Sequence, residues 1–438
     1  MDSRKHTNPV LVQRPPTVAD QPGTYRRPLA VVTVLFFMWG FLTCLNDILV
    51  PHLKSIFELT YAQVMLIQFS FFSAYFLFSI PAAKIVDWIG YQHTMVAGLL
   101  TMSVGAFLFV PAASVASYSL FLMALITLAA GITALQVAAN PYVIVLGSPE
   151  TASSRLNLTQ AFNSLGTTIA PSIGSLFILS AVPVAVEEMA LLSPTALLAY
   201  RTQQAASVKM PYVVIGLLLV MLAVVIGYSK LPKIESGQHP QGERSGDSLW
   251  KHRNLILGAI GIFTYVGAEV AIGSFLVNYL GQPGIAGLPA KVAAGYVSLY
   301  WGGAMVGRFI GSALLRKFKT KNLLGLCAVC TTTLLLTSII ASGHLAMWSI
   351  LAVGLFNSIM FPSIFTLGLA ELGPLAGDGS GILNMAIVGG ALIPLAQGFI
   401  ADRIGIHHAF FLPVICYLYI LYYALAGSQP NSERIRQA

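Results

Sequence analysis

Charge is scarce in this chain. Asp, Glu, Lys and Arg make up 9% of its 438 residues and 56% are hydrophobic, whereas a water-soluble domain carries about 25% charged residues. So little polar surface cannot keep a folded chain of this size in water, which excludes a soluble enzyme or binding module and implies a polytopic membrane protein. Cysteine is also rare. Cys44, Cys327, Cys330 and Cys416 all lie within apolar runs, which argues against disulfide bonds. Cys327 and Cys330 have a metal-like spacing but no histidine near them, and read as helix packing. GDGSG at 377–381 lacks the lysine and the preceding strand of a phosphate loop. No cofactor is implied.

What is present is a series of apolar runs, each near the roughly 20 residues that span a bilayer as a helix. They fall at 29–51, 62–86, 92–112, 118–146, 157–181, 211–229, 254–280, 292–315, 321–342, 346–369, 380–401 and 408–427. The expected fold is therefore all-α, with twelve transmembrane helices in two six-helix halves. The domain plan is a polar tail (1–28), an N-terminal half (29–229), a basic linker (230–253), a C-terminal half (254–427) and a short tail (428–438). The first run is too long for a signal-peptide core and lacks a cleavage site, so it is read as an uncleaved span.

The net charge of +8 invites a nucleic-acid reading, but the placement of the cations points elsewhere. Of the 24 Lys and Arg residues, 19 fall on the side of the tails and the linker; the other five are Lys54, Arg201, Lys209, Lys291 and Arg403. That split places both termini in the cytoplasm by the positive-inside rule. The partner is a lipid bilayer and not a nucleic acid.

Ionisable groups at mid-bilayer cost about 2.5–3.5 kcal/mol on insertion scales, so they tend to face a cavity or a partner. Glu269 stands fifteen residues from one end of its run and eleven from the other. The small residues Gly267, Ala268 and Ala271 leave room for a cavity beside it. Asp47 interrupts FFMWGFLTCLNDILVPHLKSIF (36–57), either inside the helix or near its end. In the fourth run, Gln136 and Asn140 share a face, and Pro141 predicts a local break at mid-depth. Asn157, Gln160 and Asn163 line one face of the fifth run, and Asn278, Asn357, Asn384 and Gln397 add amides in the second half. Each amide alone could be a hydrogen bond between helices. Together with Trp39, Tyr265, Tyr300, Trp301 and Phe361 they suit a neutral polyhydroxylated ligand, since amides both donate and accept. Arg308 is the clearest basic residue within a run and lies toward its cytoplasmic end. Gly303, Gly307 and Gly311 form a stripe for close helix approach. His407 and His408 read as a solvated turn.

AAKIVDWIGYQ (82–92) and GRFIGSALLRKFKTK (307–321) resemble, in degraded form, the loop motif of the major facilitator superfamily. LNDILVPH, QVAANPYVIVLG, RLNLTQAFNSLG, LLSPTALLAYR, YVGAEVAIGSFLVNYL and FPSIFTLGL extend the resemblance to its fucose–galactose–glucose symporter family, over about residues 29–427. The resemblance implies a sugar importer of a bacterial inner membrane that is driven by a proton or sodium gradient and works by alternating access. It also implies that Asp47 binds sugar. The fucose branch carries its protonation site as an acid in the fourth span, where this chain has Gln136; the carboxylate stands instead at Glu269, where that branch has an amide. LQVAANPYV and GAEVA look more like the glucose/galactose branch. The expected substrate-binding set is Asp47, Gln136, Asn140, Gln160, Asn163, Tyr265, Asn278, Asn357 and Asn384, with Glu269 and Asp47 as cation-coupling residues. A facilitative carrier or an N-acetylglucosamine importer of the same fold is the alternative. An enzyme would need a nucleophile–base pair or a metal cluster at mid-depth, and the sequence offers neither.

The topology is testable by cysteine labelling from outside. A probe at Glu188 should react, and probes at Gly237 and Ser432 should stay protected; the reverse pattern would invert the arrangement.

Overall fold

The computed structural model describes residues 25–57, 61–115, 117–177, 193, 195, 209–232 and 249–429, with backbone alone for 45–57, 61–66, 68, 171–177, 290 and 291. The expectations for both tails, the core of the linker, the loop at 182–208 and the Asp47 side chain lie largely or wholly outside the described residues.

Helices account for nearly all of it. In chain order they are α1 (Arg26–Phe57), α2 (61–89), α3 (91–114), α4 (Tyr118–Val145), α5 (Ala152–Phe177) and α6 (Lys209–Tyr228). The second half continues with α7 (Arg253–Leu280), α8 (Ala290–Leu314), α9 (Thr320–Ile340), α10 (Gly343–Gly368), α11 (Gly373–Ile404) and α12 (Ile406–Gly427). Helices α2 and α3 run on from one another, broken at Gly90, whose φ of 77° favours a residue without a Cβ. Among the described residues, nine segments are long and apolar enough to cross a membrane, with α2 and α3 counted as one. The exceptions are α5 and α8, the two helices that carry buried Asn157, Gln160 and Asn163 and the partly buried Arg308. They are less apolar because they pack on each other across the two halves.

The helices depart from the sequence reading in several places. Helix α5 starts at Ala152 and not at 157. Its polar first turn is buried because Arg155 donates to the carbonyls of Val143 (3.2 Å), Ile144 (2.6 Å) and Ser148 (2.8 Å), closing the open end of α4. Helix α4 is not broken at Pro141 but runs through it to Val145. The missing N–H instead frees the Val137 carbonyl four residues back, and Ser380 Oγ of α11 donates to that carbonyl at 2.9 Å. The breaks occur elsewhere. Helix α10 is interrupted between Asn357 and Met360, and α11 tightens to a 3-10 turn at Ala386–Val388.

Glycines set the closest approaches. A Cβ at Gly307 would collide with the Leu355 carbonyl and with Ser358 Oγ, and one at Gly311 with Ile359. The glycine stripe of α8 is thus the contact surface for α10, reinforced by Gly354 against the Tyr300 carbonyl. His407 is not a solvated turn: it is half-buried, its ring stacks edge-on against Tyr279 at 5.6 Å, and its Nε2 lies 2.8 Å from the Ser338 carbonyl at the end of α9. Among the described residues no disulfide joins Cys44, Cys327, Cys330 or Cys416.

Gly307→Val should lower thermal stability in detergent by about 1–3 kcal/mol, the usual cost of overpacking. Gly302→Val, whose added Cβ would meet nothing within 4 Å, should match the wild type. Equal melting of the two variants would show that α8 and α10 do not touch along the stripe.

Candidate functional site

The chemistry gathers where α10 breaks. Pro362 has no N–H to offer the Ser358 carbonyl four residues back, and Arg308 Nε of α8 donates to that oxygen at 3.2 Å. The Asn357 carbonyl, at the same break, accepts from the Tyr265 hydroxyl at 3.1 Å. That hydroxyl lies one helical turn from Glu269 on α7 and also bonds Glu269 Oε1 at 2.7 Å. Arg308 Nη2 faces the same carboxylate oxygen at 3.9 Å, and both side chains are 12% exposed. The Asn357 amide donates to Tyr300 Oη at 2.8 Å. Tyr417 of α12 is fully buried, with its hydroxyl beside Asn357 but short of hydrogen-bond geometry. Four helices of the second half thus converge on one carboxylate and one guanidinium.

Arg308 also reaches the other half. Its Nη1 lies 3.4 Å from the Gln160 carbonyl and hydrogen-bonds Ser164 Oγ, both on α5. Below it, toward the linker end, Asn157 Nδ2 donates to the Arg308 carbonyl at 2.7 Å and Ser154 Oγ to the Ser312 carbonyl at 2.6 Å. Ser153 and Thr320 meet at 2.9 Å. These polar contacts join α5 to α8 and to the first residue of α9.

The expected site residues divide into groups. Glu269, Tyr265 and Asn357 are brought together, and Gln160 joins them through its backbone. Gln136 lies on the N-terminal side, where its Nε2 donates to the Tyr75 hydroxyl at 2.8 Å. Asn163 pins α5 to α1 by donating to the Phe36 carbonyl at 3.0 Å, next to Gly40. Asn140 is fully buried, with neither amide atom hydrogen-bonded among the described residues. Asn384 donates to Ser380, the residue that holds the Val137 carbonyl. Asn278 is exposed and lies about 13 Å along α7 from Glu269 at 1.5 Å per residue, apart from the cluster. The small residues beside Glu269 do not open a cavity. Gly267 packs on Ile393 and the Gly389 carbonyl of α11, and Ala268 and Ala271 are fully buried.

The aromatic residues also separate. Tyr265 and Tyr300 belong to the cluster, Trp39 packs on Phe36 with ring centroids 4.3 Å apart, and Trp301 covers Gly273 of α7. A cleft of about 470 Å³ between α1 and α5, lined by Leu29, Thr33, Phe37 and Phe162 among others, is almost wholly apolar and touches none of the cluster.

Arg308, Ser164 and Tyr417 hold more of the cluster than their positions in the sequence suggest. Arg308 was placed toward a helix end, but its long side chain carries the charge to mid-depth. The available signal was the carboxylate itself, because an acid at that depth calls for a cation or a donor close by.

Residues 30–393 match the family model described as Major Facilitator Superfamily. The chain belongs to the major facilitator superfamily. It is 52% identical over 413 residues to the glucose/galactose transporter of Brucella abortus, covering 94% of this chain and 97% of that one. It is 35% identical over 418 residues to the L-fucose-proton symporter of Escherichia coli, covering 94% and 95% of the two chains. The crystal structure of the transporter FucP in the outward conformation superposes with a TM-score of 0.85 at 35% identity, covering 92% of this chain and 99% of that one. The chain is a multi-pass membrane transporter; its composition implied the membrane and its motifs the transport.

Proposed function

We propose that this transporter imports a neutral hexose, glucose or galactose, together with a cation across a bacterial inner membrane, with both termini in the cytoplasm. The similarity to a glucose/galactose transporter over nearly the full length carries the reading. The composition of the interior supports it: amides and tyrosine hydroxyls outnumber charges, as recognition of sugar hydroxyls requires. The fold supplies a mechanism. Two halves that touch through short polar contacts at one end can rock about a central site, opening it to one side at a time.

Within this reading, Asp47 binds sugar hydroxyls and Glu269 loads the coupling cation. Gln136 holds no titratable proton, and the Tyr265 hydrogen bond and the Arg308 contact of Glu269 support giving that role to its carboxylate. Uptake of labelled glucose, galactose, fucose and N-acetylglucosamine into vesicles, with and without proton or sodium gradients, tests the substrate and the cation. Transport that stays independent of every imposed gradient would make the protein a facilitative carrier, and preference for N-acetylglucosamine would make it an amino-sugar importer.

Asp47→Ala should weaken sugar binding by on the order of 10² to 10⁴-fold, if two charged hydrogen bonds of about 1.5–3 kcal/mol each are lost. Isothermal titration on folded protein in detergent measures this, and unchanged affinity would remove Asp47 from the site. Glu269→Gln should abolish gradient-driven accumulation while sparing exchange of sugar between equal pools, because exchange does not require the empty carrier to return. A variant that still concentrates sugar would make Glu269 structural.

A further inference from the structure

The guanidinium of Arg308 is shared between the two halves, and its counter-ion is the acid just assigned to the cation. Nη2 is turned to Glu269 at 3.9 Å and Nε to the Ser358 carbonyl at 3.2 Å, both within the second half. Nη1 is turned the other way, to the Gln160 carbonyl and Ser164 Oγ of the first half. Different nitrogens serve the two sides, so the contacts are held together and do not compete. A planar fork with fixed donor directions can do this, and a lysine ammonium cannot.

We propose that Arg308 is a latch on the linker-side gate, held closed by ionised Glu269 and released when a cation loads that carboxylate. The inference rests on the reading of Glu269 as the cation-loading acid. Ionised Glu269 anchors one edge of the guanidinium and thereby aims the other edge at α5. The remaining groups around the carboxylate are neutral: Tyr265 donates to it, Tyr300 Oη lies 3.5 Å from its backbone carbonyl, and Tyr417 stands behind Asn357. None of them can replace its charge. Once the carboxylate is neutralised, the guanidinium is an uncompensated cation at mid-depth. It is stabilised best where water reaches it, and water reaches it when α5 and α8 separate. Unloading restores the counter-ion and closes the gate behind the empty carrier. The direction suits symport, because loading from the far side favours opening toward the linker side.

Three smaller rungs lie below the latch: Asn157 to the Arg308 carbonyl, Ser154 to Ser312 and Ser153 to Thr320. None of these carries a side-chain charge, so none can sense the state of Glu269. Among these contacts of α5 with α8 and α9, one is charged and responds to loading and the neutral ones do not. This distinction gives the latch a signature separate from general loss of packing.

Spin labels at exposed Glu150 and Lys317, which flank the linker-side ends of α5 and α8, report the gate as a distance distribution in sugar-free detergent. Arg308→Gln should raise the ratio of long to short distances by on the order of tenfold, as expected for losing charged hydrogen bonds between two states of similar stability. Glu269→Gln should shift the ratio in the same direction, and the double variant should shift it no further than Arg308→Gln alone. An Arg308→Gln distribution equal to the wild type overturns the latch. A shift in Arg308→Gln without one in Glu269→Gln overturns its control by the carboxylate. Should Arg308→Gln fail to fold, Arg308→Lys and Ser164→Ala take its place: both should shift toward long distances, and no shift in either overturns the proposal. The coupling reading fails separately, when Glu269→Gln opens the gate yet still accumulates sugar.

Discussion

Backbone carbonyls inside a bilayer have no water to turn to, so any that a helix leaves unpaired must find a donor within the protein. Two of the prolines inside the described helices show how such carbonyls are answered. Pro141 frees Val137, and the Ser380 hydroxyl answers from the other half. Pro362 frees Ser358, and Arg308 answers. In each case a missing donor on one helix becomes an attachment point for another. The two points lie where α4 meets α11 and where α8 meets α10, and the site is built on the second.

The same economy governs how the halves are joined. Within each half, glycines bring helices to backbone contact, as with Gly307 against α10 and Gly267 against α11. Such contacts resist separation because dispersion over close surfaces has no substitute on opening. Between α5 and the end of α8 with the start of α9 the joint is made of serines, an asparagine, a threonine and one arginine. Hydroxyls and amides can exchange protein partners for water at small net cost. The α5–α8 joint is therefore easier to part than the glycine contacts of α8 with α10 and of α7 with α11, as a rocking carrier requires.

The candidate site was legible in its members more than in its arrangement. Glu269, Tyr265 and Asn357 stood out as polar groups in apolar runs, and the structure connects them. Asn278 stood out for the same reason, yet it is exposed and apart, because an amide near a helix end has little depth to signal. Arg308 was discounted on the position of its Cα, when its side chain carries the charge several ångströms toward the centre. Tyr417 gave no signal, since a tyrosine in an apolar helix is ordinary. The break at Pro141 was misplaced because a proline near a helix end costs one hydrogen bond that a neighbouring helix can replace.

By itself the sequence determined that this is a membrane bundle of twelve helices, because hydrocarbon thickness sets the length of each apolar run and bilayer chemistry permits little besides helix. It also determined which positions carry unusual chemistry, because polar groups stand out against an apolar background. The tertiary structure alone decided which of those positions meet. Periodicity places a residue on a face of its own helix but says nothing of the rotation and offset of the next. Glu269 and Arg308 are 39 positions apart in sequence and 3.9 Å apart in space, and that closeness comes from the packing of α7, α8 and α10 around a broken turn.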